Sequence, residues 1–369
     1  MTHKKILAPG AKIRVLVVDD SVVIRRLVAS ALEQDPDLEV VGTAANGNLA
    51  LQRIAQLAPD VVTLDIEMPE MDGLATVREL RRSNRDVRVI MFSTLTQRGA
   101  SATMDALSHG ADDYVTKAAN VGSLDRSRES LRTELIPKVK QFFHLSASKP
   151  QPGPSAAPAP SPITQRAIPI PKVAAPAVRP RPRALVIGVS TGGPVALQHV
   201  VPRLPREFPV PVLIVQHMPP MFTRLLAERL QKDSPLQVRE AQAGDTVTPG
   251  HVWIAPGNYH MRLKQSGQQV VISLDQGPQE NSCRPAVDVL FRSAAEVYGG
   301  AVVASILTGM GEDGARGVAA LRPLGAYVIV QDEPTSVVWG MPGAVANAGL
   351  ADEILPLDAV APRIIEKFR

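Results

Sequence analysis

The feature that most constrains this chain is a stretch that cannot fold. Of the 37 residues from 146 to 182, 11 are proline, many alternating with alanine, as in Pro154-Ser155-Ala156-Ala157-Pro158-Ala159-Pro160. Each proline fixes φ and removes a backbone donor, so neither a helix interior nor a central strand passes through. Such composition favours extended, semi-rigid polyproline II, and at ~3.1 Å per residue it could reach on the order of 100 Å. The sequence is therefore expected to divide into an N-terminal unit (1–145), a proline-rich linker (146–182) and a C-terminal unit (183–369). Arg179, Arg181 and Arg183 close the linker and read as solubilising charge rather than as a contact to nucleic acid.

The chain as a whole has the composition of globular protein, with 45% hydrophobic and 21% charged residues over 369 positions. Aromatics make up 4%, so the cores must be aliphatic, and a net charge of +4 argues neither for nor against an acidic partner. The sole cysteine, Cys283, excludes an intrachain disulfide and fits a reducing compartment. Val15-Leu16-Val17-Val18 runs into Asp19-Asp20, which reads as a buried strand rather than a signal peptide. No stretch approaches the ~20 apolar residues of a membrane span. A cytoplasmic protein without membrane insertion is expected.

From Ile13 to about Leu145, short aliphatic runs alternate with segments of helical period. Strands are predicted at Arg14–Val18, Glu39–Thr43, Asp60–Leu64, Arg88–Phe92 and Asp113–Val115. Helices are predicted at Val22–Glu33, Leu49–Leu57, Leu74–Ser83, Gln97–Ser108 and Ser123–Phe143. Five such alternations imply a parallel sheet covered on both faces, with function at the carboxyl ends of its strands. Those ends carry Asp19-Asp20, Asp65, Ser93 and Lys117. Three converging carboxylates repel one another unless a cation neutralises them, and hard oxygen ligands favour Mg²⁺. A metal and an ammonium beside one carboxylate prepare it to accept a phosphoryl group.

On Val17-Val18-Asp19-Asp20-Ser21, Leu64-Asp65-Ile66-Glu67-Met68-Pro69-x-Met71-Asp72-Gly73 and Thr116-Lys117, this half resembles a two-component receiver domain, a flavodoxin-like five-stranded parallel fold. The resemblance implies Asp65 as phosphoacceptor for a histidine kinase. It implies Mg²⁺ bound by Asp20, Asp65 and the Glu67 carbonyl, with Asp19 acting through water. Ser93 and Lys117 would sense the phosphate, and Tyr114 takes the aromatic switch position. Ala118 departs from the proline usual after that lysine.

In the C-terminal half, strands are predicted at Ala184–Val189, Val212–Val215, Gln237–Glu240, Val252–Ala255, His260–Lys264, Val270–Ser273, Val302–Leu307 and Tyr327–Val330. Hairpin-like spacing over 236–275 suggests a doubly wound α/β sheet, mostly parallel, with a small antiparallel portion. Gly188-Val189-Ser190-Thr191-Gly192-Gly193 joins a buried strand to a helix with Ser190 at the turn. That is the layout of a nucleophile elbow, and equally of a phosphate loop with its middle glycine replaced. Two more strands end in His217 and in the glycine-rich turn carrying Asp313. Each alone is a common structural residue. Together at one sheet edge they would form a relay in which His217 takes the Ser190 proton and Asp313 orients the imidazole. The chain order Ser…His…Asp argues against α/β-hydrolases.

With Gln216-His217-Met218, Leu307-Thr308-Gly309-Met310-Gly311-x-Asp313-Gly314, Arg284-Pro285-x-x-Asp288 and Ala255-Pro256-Gly257 added, nearly the whole chain resembles the chemotaxis-specific protein-glutamate methylesterases. The resemblance implies hydrolysis of γ-glutamyl methyl esters on the cytoplasmic helices of chemoreceptors, and deamidation of receptor glutamines. It implies Ser190, His217 and Asp313 as catalytic residues, with the Met310 amide and Thr191 serving the oxyanion hole and no cofactor for the esterase. Ala286 and Cys283 stand where the family usually has Ser and His. Cys283 lacks a glycine-rich elbow and a positioned base, which argues against its being a nucleophile. A receiver-regulated, DNA-binding transcription factor is the alternative, but the glycine-rich strand-end loops do not suit a helix-turn-helix output. A nicotinamide-dependent oxidoreductase using Gly188–Gly193 would want an acidic residue where Gln216-His217 stands.

Overall fold

The computed structural model describes residues 5–83, 86–94, 96–117, 124–144 and 179–369. Ala118 and most of the predicted linker lie outside the described residues.

Strands Leu38–Ala44, Ile13–Val18, Val61–Asp65, Arg88–Ser93 and Asp113–Thr116 lie side by side in that order, all parallel. In chain order this is 2-1-3-4-5, the flavodoxin-like arrangement. Residues Val61–Asp65 are buried throughout, as an apolar run covered on both faces requires. The predicted helix Ser123–Phe143 is shorter: it spans Leu124–Lys140, and Phe143–His144 instead pairs in parallel with Lys5–Ile6.

The second unit is a seven-stranded sheet in the order Gln237–Glu240, His251–Ile254, Val212–Gln216, Ala184–Val189, Val302–Ile306, Tyr327–Gln331 and Glu353–Leu355. Every pairing in it is parallel. The antiparallel portion is therefore not part of this sheet but a separate hairpin, His260–Ser266 with Gln269–Asp275. The crossover from Gln237–Glu240 to His251–Ile254 contains no helix among its described residues. Its residues lie against the hairpin instead, with Val247 N–H donating to Val270 O and Ile272 N–H to Asp245 O, each 2.8 Å. The edge strand Glu353–Leu355 escaped prediction, since three residues carry no period.

Along this sheet the chain winds one way from Ala184–Val189 and the other way from Val302–Ile306. The two strands are neighbours, so the direction reverses between them, and the crevice beyond their carboxyl ends is where open α/β sheets bind ligands. Among the described residues, no helix is long and apolar enough to cross a membrane.

Candidate active site

Ser190 sits at that crevice. Its strand, Ala184–Val189, is wholly buried, and the register Val189 to Gln216 places Ser190 beside His217 across two adjacent strand ends. Gly192 makes the turn with φ +77°, a conformation L side chains rarely adopt, and opens the helix Gly193–Val200. Gly309 approaches so closely that a Cβ there would lie 2.8 Å from Ser190 Cβ. The Ser190 main chain is tied on both sides: its N–H donates to Thr308 O (3.0 Å), and its carbonyl accepts from Gln216 Nε2 (2.9 Å). Among the described residues its hydroxyl has no hydrogen-bond partner, so the structure brings Ser190 to the rim without joining it to the imidazole.

His217 and Asp313 are in direct contact. His217 Nε2 donates to Asp313 Oδ2 over 2.7 Å, with the imidazole 11% exposed and the carboxylate 2%. Asp313 also accepts backbone N–H bonds from Val287 (2.6 Å) and Asp288 (3.0 Å), where the helix Val287–Tyr298 begins. A helix start offers unpaired donors and a positive dipole end, which suits an ionised carboxylate. Burial pushes the Asp313 pKa up, but His217 and these amides more than offset it and hold it below the ordinary 3.8.

The other imidazole nitrogen faces a residue that sequence reasoning had set aside. Cys283 Sγ lies 3.5 Å from His217 Nδ1, so Cys283 does have a positioned base, contrary to expectation. Burial pushes the His217 pKa down, yet the Cys283 sulfur and the Asp313 carboxylate together raise it from 6.5 to about 10. The neutral imidazole, the form that can take a proton, is thereby made scarcer. Cys283→Ala should therefore move the acid limb of the kcat/KM profile to lower pH. Lowering the imidazole's proton affinity tenfold makes about tenfold more of the neutral base on that limb. Rates measured from pH 6 to 10 check this, and an unmoved limb would show that Cys283 does not hold the proton.

Ser190, Thr191, His217, Cys283 and Met310 line one cavity of about 600 Å³. Met310 is half-exposed at its mouth, and among the described residues neither the Met310 nor the Thr191 backbone N–H has an acceptor. The N-terminal unit forms the facing wall with Tyr114, Thr116, Glu134 and Lys138. Tyr114 is buried, its ring stacked on Phe222 at 4.8 Å and 6°. The Thr191 hydroxyl lies within hydrogen-bond reach of Asp113 Oδ2 (3.1 Å) and Gln141 Oε1 (3.2 Å), and Arg229 donates to Met104 O (2.7 Å) and Ser108 Oγ (2.9 Å). Asp113 and Gln141 were not foreseen. Nothing in a sequence marks two residues whose partner lies across an interface.

In the receiver, Asp19, Asp20 and Asp65 offer carboxylate oxygens within 4.8 Å of one another. Lys117 Nζ bridges Asp19 and Asp65, at 2.8 Å to each. Burial raises the Asp65 pKa to about 6; Lys117 lowers it and Asp19 raises it. Three carboxylates against one ammonium leave uncompensated negative charge on hard oxygen donors, which fits a divalent cation such as Mg²⁺. Glu67 stands two residues beyond Asp65, with its own carboxylate turned outward toward Arg98 at 3.8 Å. Ser93 is fully buried and its hydroxyl accepts from Thr103 Oγ1 (2.7 Å).

Residues 185–364 match the family model of the CheB methylesterase, and residues 15–127 that of the response regulator receiver domain. The chain is 49% identical over 357 residues to a protein-glutamate methylesterase/protein-glutamine glutaminase of Trichodesmium erythraeum, covering 97% of this chain and 99% of that relative. A Nocardioides relative with the same name is 53% identical over 360 residues, covering 98% and 96%. One from Caulobacter vibrioides is 45% identical over 361 residues, covering 96% and 99%.

Proposed function

We propose, because this chain belongs to the protein-glutamate methylesterase/protein-glutamine glutaminase family, that it hydrolyses glutamate methyl esters on the cytoplasmic helices of chemoreceptors, releasing methanol, and deamidates receptor glutamines. In this reading residues 183–369 are the catalytic domain, 1–145 a receiver charged by a histidine kinase, 146–182 their linker, and the protein works in the cytoplasm. The observation that carries it is the pairing of His217 with Asp313 on a cavity rim next to Ser190.

Ser190 attacks the ester carbonyl while its proton passes to His217. Since Nε2 is engaged by Asp313, the proton goes to Nδ1, the nitrogen that faces the cavity and Cys283. The Met310 and Thr191 amides would stabilise the oxyanion. Methoxide leaves as methanol with the proton from His217, and water repeats the sequence to release the glutamate carboxylate and restore Ser190. Asp313 remains ionised and stabilises the imidazolium. For a glutamine substrate the leaving group is ammonia.

Asp20, Asp65 and the Glu67 carbonyl would hold Mg²⁺, with Asp19 alongside, and the bound ion would offset charge on the transferring phosphoryl group. Asp65 accepts that group, and Lys117 and Ser93 sense it. To reach it, the Ser93 hydroxyl has to leave Thr103. Tyr114 then turns inward, away from Phe222, and the receiver's hold on the cleft weakens. A difference of about 1.4 kcal/mol between docked and released forms changes their ratio tenfold, so a modest change in contact suffices. The linker tempers the docked form by lowering the receiver's effective concentration.

The test is methanol release from methylated receptor by the full chain. Acetyl phosphate with Mg²⁺ should raise the rate several-fold, and Asp65→Asn should abolish the rise while keeping the basal rate. No methanol from either sample would remove the esterase reading. An Asp65→Asn protein that still responds would remove Asp65 as acceptor.

A further inference from the structure

We infer that Asn281 is a positioning residue for the relay: from a tight turn, its side-chain amide gives one hydrogen to each of two adjacent buried carboxylates, Asp313 and Asp288. The inference rests on the esterase reading and extends it to residues outside the Ser190, His217 and Asp313 set.

Glu280 and Cys283 pair through reciprocal backbone bonds of 3.1 and 2.8 Å, with Asn281 (φ 52°) and Ser282 (φ 61°) closing the turn between them. Asn is among the few side chains that accept positive φ. The turn aims Asn281 Nδ2 inward, 2.8 Å from Asp313 Oδ1 and 3.0 Å from Asp288 Oδ2. Rotating the amide by 180° would set its oxygen against two carboxylate oxygens, so chemistry as well as geometry places the nitrogen there.

The arrangement answers an electrostatic problem. Asp288 is fully buried, and its other oxygen accepts from Gly314 N–H (2.9 Å) and Gly317 N–H (2.7 Å). Two neighbouring buried carboxylates tend to share a proton. The titratable groups around them are His217 on Asp313, Cys283 behind His217, and Arg292, which pairs with Glu280. Burial and then Asp313 raise Asp288 to about 6, whereas Asp313 is held low. A proton shared by the pair would thus reach Asp288 first and leave Asp313 charged for His217. The Asn281 amide, donating to both, lets the two stay ionised together at neutral pH.

Asn281→Gly deletes the amide and keeps the positive φ. It should lower kcat about tenfold at pH 7 with KM unchanged, the equivalent of a tenfold change in proton affinity. Its rate relative to the parent should recover in part toward pH 6, where a proton on Asp288 relieves the repulsion and leaves Asp313 charged. Asp288→Asn alone places a second amide against the first and should also lose rate. In the double variant Asn281→Gly/Asp288→Asn, the new amide can serve Asp313 in the space left free. Its rate should return to within about threefold of the parent, whereas independent losses would multiply. Asn281→Asp, which preserves the turn without a donor, should lose rate at pH 8 and regain it toward pH 6. All variants are measured as full chains on methylated receptor with acetyl phosphate. Multiplied losses in the double variant, or pH-independent ratios for the single ones, overturn the inference. A parent chain that releases no methanol overturns the esterase reading beneath it, whereas an active parent with variants that match it overturns the role of Asn281 alone.

Discussion

Ser190→Ala should reduce methanol release by a factor on the order of 10⁴ or more, leaving the fold and Asp65 phosphorylation intact. The magnitude follows from the role: without the hydroxyl no acyl-enzyme forms, and only the cavity and the oxyanion donors remain to assist water. The fold should survive because the main chain of residue 190, not its side chain, makes the bonds to Thr308 and Gln216. Rates on methylated receptor, circular dichroism and labelling by a phosphoryl donor read the three properties separately. The same substitution separates the competing readings. A DNA-binding regulator or a nicotinamide-dependent oxidoreductase would keep its activity, so undiminished methanol release would remove Ser190 as nucleophile. If Cys283, which also faces His217, took over as nucleophile, the residual activity of Ser190→Ala would vanish on adding Cys283→Ala.

Asp313→Asn should cost about 10³–10⁴-fold in kcat, because an amide cannot stabilise the imidazolium and would favour the wrong imidazole tautomer. Unlike Ser190→Ala, it should also destabilise the protein. An amide nitrogen placed at Oδ1 or Oδ2 would confront backbone N–H groups of Val287, Asp288 or Gly314, and each buried donor left unpaired costs about 1–3 kcal/mol. The pH dependence has a definite sign. The Asp313 pKa is lowered in the fold, so its stabilisation is present above the unfolded value of 3.8 and is lost as pH falls through the lower folded value. His217 has the opposite sense: its pKa is raised to about 10, so its contribution is complete below 6.5 and fades as pH rises toward 10. The deficit in Tm of Asp313→Asn should therefore be largest between about pH 4 and 6.5 and shrink at both extremes. A deficit that grows toward pH 3 or pH 10 would contradict this assignment of charge.

Much of the molecule was readable before any coordinates. Apolar runs such as Val61–Asp65 admit few alternatives to a buried parallel strand, and strand ends in such sheets collect function. Asp65, Lys117, Ser190 and His217 could therefore be singled out one strand at a time. Over 236–275 the hairpin was legible too, but turn residues and spacing report local geometry and cannot say whether it joins the larger sheet.

What the sequence determined by itself is what short-range chemistry controls: the placement of strands and helices and the glycine turn beneath Ser190. What only the tertiary structure decided is who meets whom. Cys283 against His217, Asn281 on Asp313, and Asp113 on Thr191 each join residues far apart in the chain. Such contacts depend on distances of a few ångströms, set by the summed packing of both sheets, and no residue pattern along the chain encodes a distance across it.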